Sequence, residues 1–172
     1  EEAVKRCLVC RYDREKFLLA DKMPVWFVKE TADFGKIFET QLERCGVEYF
    51  DFYLLHAMNK ERVKEVEEKG GFEFLQQMKQ EGKIRHVGFS FHDTADVLDD
   101  ILTNHPEMEF VQLQINYYDW ESENVQSRKC YEMAVKHGKP VIVMEPIKGG
   151  TLANLVKEPA EILRGLDKDA SF

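Results

Sequence analysis

Apolar and polar positions fall into two alternating kinds of segment along this chain. Short apolar runs occupy residues 17–20, 50–55, 84–89, 110–117 and 140–144, and each reads as a buried strand. Helical spacing fills 1–9, 31–44, 61–81 (broken at Gly70-Gly71), 93–103, 121–137 and 160–166. Gly46, Gly82 and Gly138 stand just past three helix ends, where a left-handed residue closes the last turn. Asp93 or Thr94 is the predicted N-cap of the helix that follows. The order is a helix, then strand and helix five times over, which predicts an α/β fold with a parallel sheet covered by helices. An open doubly wound sheet and a closed eight-unit barrel both fit. No G-x-G-x-x-G follows a strand, which counts against the dinucleotide-binding open sheet.

Polar residues mark the strand ends. Lys22 follows the first run, His56 the second and Ser90 the third; Gln114 and Asn116 close the fourth, and Glu145 follows the fifth. Barrels of alternating strands and helices build their active sites at that C-terminal edge. Strand ends are often polar anyway, and Lys22 or His56 alone reads as a loop lysine or a structural histidine. Five of five suggests an assembled site. In the fourth run Gln112, Gln114 and Asn116 alternate with Leu113, Ile115 and Tyr117, so the amide face points into the barrel and the apolar face meets helices. A lysine beside a phenol favours its ionised form, and a histidine can donate a hydrogen bond to a carbonyl oxygen.

The length of 172 residues suits one domain spanning 1–172, and the 44% apolar and 33% charged fractions suit a folded one. The net charge of -8 disfavours nucleic acid and anionic membranes as partners. Lys60, Arg62 and Lys64 are interleaved with Glu61, Glu65, Glu67 and Glu68, as on a solvated helix face. No apolar run is long enough to span a bilayer. Cys7 and Cys10 form a C-x-x-C without a second pair, so the preferred reading is two small apolar residues one helical turn apart. Cysteines without a disulfide framework suggest the cytoplasm. Glu1 opens inside a helical pattern with no N-cap, so the chain reads as an internal portion of a longer protein.

Residues 14–24, 42–56 and 82–90, followed in order by 110–117 and 141–150, resemble the aldo-keto reductases over nearly all of the chain. The most specific stretch is LERCGVEYFDFYLLH, ending at His56. The resemblance implies a (β/α)8 TIM barrel, here a partial one of about five βα units corresponding to strands three to seven. It implies an oxidoreductase passing a hydride between NADP(H) and an aldehyde or ketone, with Asp, Tyr, Lys and His as the catalytic set. Lys22 matches the lysine that lowers the pKa of the acid tyrosine, and His56 the histidine that orients the carbonyl. Ser90 and Gln114 match groups that hold the nicotinamide carboxamide. Met144 falls where many members stack an aromatic ring, and Gly149 and Gly150 fall in the cofactor loop.

The match also has gaps. The Asp and Tyr belong to strands before Glu1, and the segment that grips the adenosine phosphate follows Phe172. NAD(H) therefore stays open beside NADP(H), and the 172 residues alone are expected to be inactive. Phe91 replaces the usual Asn after the serine, which removes one carboxamide hydrogen bond. The run from Glu145 to Gly150 is similar to a bacterial branch in which some members carry a C-terminal iron–sulfur segment, but this chain holds no site for a cluster. A non-catalytic, cofactor-binding regulatory subunit is the alternative function. A metal-dependent hydrolase using His56, His92 and Glu145 is a weaker third. Trp26, Phe27, Met58, Tyr118 and Trp120 line a substrate pocket or simply pack. Five strands leave two sheet edges open to another chain, and the oligomeric state is not set by the sequence.

Overall fold

In a computed structural model, which describes residues 1–153 and 157–166, the strands lie side by side in the order of the sequence. They are β1 (Ala20–Met23), β2 (Phe50–Met58), β3 (Ile84–Phe91), β4 (Phe110–Gln114) and β5 (Val141–Met144), and every neighbouring pair is parallel. The helices are α1 (Glu2–Val4), running into a π turn at Lys5–Val9, then α2 (Thr31–Cys45), α3 (Lys60–Glu68), α4 (Gly71–Gln80), α5 (Ala95–Asn104), α6 (Ser127–Lys136) and α7 (Lys157–Leu166). Parallel neighbours need a crossover between them, and the intervening helices supply it.

The two faces of the sheet divide by parity. Tyr53, Leu55, Val87, Phe89, Phe91, Val111 and Leu113 pack in one core with Phe34 and Phe38 of α2, Leu75 of α4, Leu98 and Ile101 of α5, and Ala134 of α6. The opposite parity carries Phe52, Leu54 and His56 on β2, His86, Gly88 and Ser90 on β3, and Phe110, Gln112 and Gln114 on β4. That face is the inner wall of a partial (β/α)8 barrel.

Gly88 shows how tightly the inner wall is filled. The Phe110 ring reaches across β3 to the Phe52 ring, with centroids 5.4 Å apart. A Cβ on Gly88 would lie 2.5 Å from the Phe110 carbonyl oxygen and 2.8 Å from its ring. Backbone cannot yield as a side-chain tip does. Gly88→Ala should therefore destabilise the protein by about 1–3 kcal/mol, read as a lower urea midpoint. An unchanged midpoint would show that the inner wall has slack.

Several predicted boundaries are corrected. The first strand is Ala20–Met23 rather than 17–20, because Leu18 is 69% exposed and the ladder to β2 begins at Ala20 opposite Phe52. Lys22 thus lies within the strand, and so do His56 and Ser90. The fourth strand stops at Gln114, because Asn116 turns the chain by bonding to Asp119. The helix placed at 121–137 starts at Ser127, after a left-handed Gln126. Thr94 precedes α5 without a side-chain cap, while Asp93 accepts hydrogen bonds from the backbone N–H groups of Lys60 and Thr94.

Candidate active site

Lys22 stands next to last on β1 and extends across the inner wall. Its Nζ donates to Gln112 Oε1 on β4 at 2.5 Å. Its carbonyl accepts from Gln41 Nε2 of α2 at 2.8 Å, which fixes the backbone below the side chain. Burial lowers the ammonium pKa, with Asp21 acting in the opposite direction. Asp21 itself turns the other way, toward the Cys45 thiol at 3.9 Å.

His56 is aimed by a bulge. Leu55 pairs with Phe89 and Met58 with Phe91, so β2 spends one residue more than β3 over that interval. The extra residue leaves Ala57 left-handed, at φ +56°. Its N–H donates to Ser90 Oγ at 2.7 Å, and its carbonyl accepts from Arg62 Nη1 at 2.6 Å. The His56 ring sits 4.9 Å from the Trp26 ring, and the Arg62 guanidinium lies 5.5 Å over that same indole. Burial lowers the His56 pKa first, and the Lys22, His92 and Arg62 charges push it in the same direction. At neutral pH the imidazole is uncharged, with one N–H to donate.

Ser90 is fully buried, and its oxygen serves the Ala57 N–H. A hydroxyl that accepts in this way still has its own O–H to give. Met144 is paired with Gln114 in the ladder and is half-buried. Gln114 Nε2 donates to Asp119 Oδ2 at 2.9 Å, and Asn116 Nδ2 donates to the same oxygen at 3.0 Å. Lys148 Nζ reaches both Asp119 oxygens, at 2.6 and 2.7 Å. Beyond β5, Glu145, Lys148, Gly149 and Gly150 all take positive φ. A Cβ on Gly149 or Gly150 would meet none of the described residues within 4 Å, so the dihedrals rather than crowding demand glycine there. The space above that backbone is open to a ligand.

The Aldo/keto reductase family model matches residues 1–169. The chain belongs to the aldo/keto reductase family. Among solved structures it is similar to an aldo/keto reductase from Brucella melitensis, with 18% identity, a TM-score of 0.74, and coverage of 99% of this chain and 61% of that one. It is also similar to an aldo/keto reductase from Klebsiella pneumoniae in complex with NADP and acetate, with 21% identity, a TM-score of 0.72, and coverage of 99% and 57%. A third similar structure is the holo form of an aldo-keto reductase from Bacillus halodurans, with 21% identity, a TM-score of 0.65, and coverage of 91% and 50%. The chain therefore spans between half and about three fifths of the length of these proteins. At such identities the likeness shows the fold, part of a (β/α)8 barrel. No curated protein matches the sequence.

In this aldo/keto reductase chain Lys22, His56, Ser90, Gln114 and Met144 all lie at the C-terminal half of consecutive strands, with Gly149 and Gly150 on the following loop. Phe91 is buried on the helix side, 6.3 Å from Phe89, and offers the inner wall nothing. Of the expected pocket residues, Met58 is fully buried in the core, and Trp120 packs on Tyr131 at 5.8 Å. Trp26, Phe27 and Tyr118 stay exposed. Cys7 lies on the π turn and Cys10 at its C-cap, about one turn on, and both are exposed free thiols. Among the described residues no three His, Cys, Asp or Glu side chains gather as a metal set, so His56, His92 and Glu145 do not assemble into one. Among them, too, no helix is long and apolar enough to cross a membrane.

Sequence reasoning missed Asp119 and Lys148 as site residues. Asp119 stands three positions after Asn116, an Asx spacing that was available as a signal. Arg62 was assigned to a solvated face, and its guanidinium instead turns in to the bulge.

Proposed function

We propose that this chain forms the central part of an NADP(H)-dependent oxidoreductase that interconverts small-molecule aldehydes or ketones and their alcohols. The observation that carries the reading is the placement of Lys22 and His56 on adjacent strands of one inner wall, beside Ser90 and Gln114. The residues present suit a nicotinamide: a buried hydroxyl whose O–H the Ala57 contact does not use, an amide fixed by Asp119, and a left-handed glycine pair. When bound, the reduced nicotinamide would supply hydride to the carbonyl carbon.

The chain's own groups would do the rest. Neutral His56 would donate its N–H to the carbonyl oxygen and fix its direction. Lys22, cationic and held by the neutral Gln112 amide, would stabilise the negative charge that develops there, directly or through a phenol. Ser90 and Gln114 would orient the carboxamide, and Met144 would cover the ring. The four free cysteines fit a reducing cytoplasm.

The test is oxidation of NADPH by the intact protein with a reactive aldehyde, followed by the loss of reduced-nicotinamide absorbance, with NADH run in parallel. Turnover that requires aldehyde supports the reading. NADPH binding without turnover over a broad aldehyde set would favour the regulatory subunit instead. The 172 residues alone should not turn over, because none of their tyrosines lies in a position matching the family's proton donor.

A further inference from the structure

Asp119 is 2% exposed, and it is the point where two parts of the candidate cofactor site meet. One part is Gln114, at the end of β4. The other is the left-handed run Lys148, Gly149, Gly150 that follows β5. The Asp119 backbone N–H donates to Asn116 Oδ1 at 2.8 Å, and Asn116 Nδ2 also reaches the Glu145 carbonyl at 3.1 Å, so the carboxylate is held at both flanks. Burial alone would raise its pKa, but Lys148, Asn116 and Gln114 outweigh burial and hold it below the usual carboxylate range. The group is charged at neutral pH.

A carboxylate only accepts hydrogen bonds. Gln114 must therefore turn its NH2 to Asp119, and its Oε1 becomes the atom left for a ligand. An amide free to rotate would present either end. We infer that Asp119 is a positioning residue that fixes Gln114 with its carbonyl oxygen toward the nicotinamide, so that the site demands an N–H donor there, and that through Lys148 it ties the glycine loop to β4. This rests on the function proposed above.

The experiment compares two reduced cofactors on the intact protein: NADPH and its acetylpyridine analogue, in which a methyl ketone replaces the carboxamide. The analogue lacks the N–H that Gln114 Oε1 would accept. Dissociation constants come from quenching of tryptophan fluorescence. The unmodified protein should prefer NADPH by about tenfold, the scale of one lost hydrogen bond at a buried site. In Asp119→Ala, which leaves Gln114 Nε2 no acceptor at that position, the preference should collapse to within about threefold, because Gln114 is then free to offer its NH2 to the ketone oxygen. Lys148→Met should weaken both cofactors equally and keep the preference, because Asp119 still holds Gln114. A general loss of structure would not produce this split.

A full preference retained in Asp119→Ala overturns the inference. So does a preference lost equally in Lys148→Met, which would assign discrimination to the loop. If Asp119→Ala does not fold, Asp119→Ser, whose side chain is too short to reach Gln114 Nε2, takes its place with the same two outcomes. An unmodified protein that binds neither cofactor sinks the proposed function, and the inference falls with it.

Discussion

Lys22→Met should lower the turnover of the intact protein by about 10²- to 10³-fold, while NADPH affinity stays within a few-fold. Methionine keeps the unbranched stem along β1 and removes the charge together with the hydrogen bond to Gln112. That charge is available to a reacting group because its hydrogen-bond partner, Gln112 Oε1, is neutral, and because Asp21 on the same strand is turned toward Cys45. Burial has already lowered the pKa of the ammonium, so it gains when an anion forms next to it. A missing cation therefore raises the barrier to forming an alkoxide or phenolate more than it weakens the ground state. The cofactor contacts proposed for Ser90 and Gln114 lie on other strands and should persist. Steady-state rates and fluorescence titration separate the two effects. Undiminished turnover would remove Lys22 from the chemistry.

The inner wall was legible from the sequence wherever a strand obeyed period two. Gln112 and Gln114 against Leu113 set the faces of β4 correctly, and the apolar runs located β2, β3 and β5 to within a few residues. β1 was misplaced for a physical reason. The run ending at Ala20 exposes Leu18 on its way in, and the strand itself contains Asp21 and Lys22, whose polarity imitates a loop. The bulge that aims His56 rests on a left-handed Ala57, a conformation that alanine composition does not announce. Asp119 was hidden in a different way. Its burial depends on Lys148, 29 residues later, and on Gln114, a pairing that no local periodicity encodes. The family resemblance implied roles for the strand-end residues, and the fold shows the partners that hold them.

Asp51→Ala should cost about 3 kcal/mol of stability without changing cofactor affinity, because it acts at the other end of the strands from the site. Asp51 is 1% exposed on β2. Its Oδ2 meets Arg14 Nη2 at 2.6 Å and the Leu19 N–H at 2.8 Å, while Oδ1 meets Arg85 Nη1 at 2.8 Å. Both guanidiniums also lie over the Tyr49 ring, at 4.0 and 4.3 Å. Alanine would strand Arg14, whose side chain is only 16% exposed, beside an empty position and a buried backbone N–H. Arg85, 52% exposed, would recover its solvation, which keeps the loss below that of a fully buried triad. Burial by itself would raise the Asp51 pKa, but the Leu19 N–H, Arg14 and Arg85 bring it below the usual value. For a carboxyl depressed in the folded state, the stabilisation is complete above the unfolded pKa, about 3.9, and is lost as pH falls through the folded one. The gap in urea stability between the unmodified protein and Asp51→Ala should therefore be full at neutral pH and narrow only below about pH 4. A gap that stayed constant into strong acid would mean that Asp51 contributes packing rather than charge, and the two arginines would then owe their positions to Tyr49.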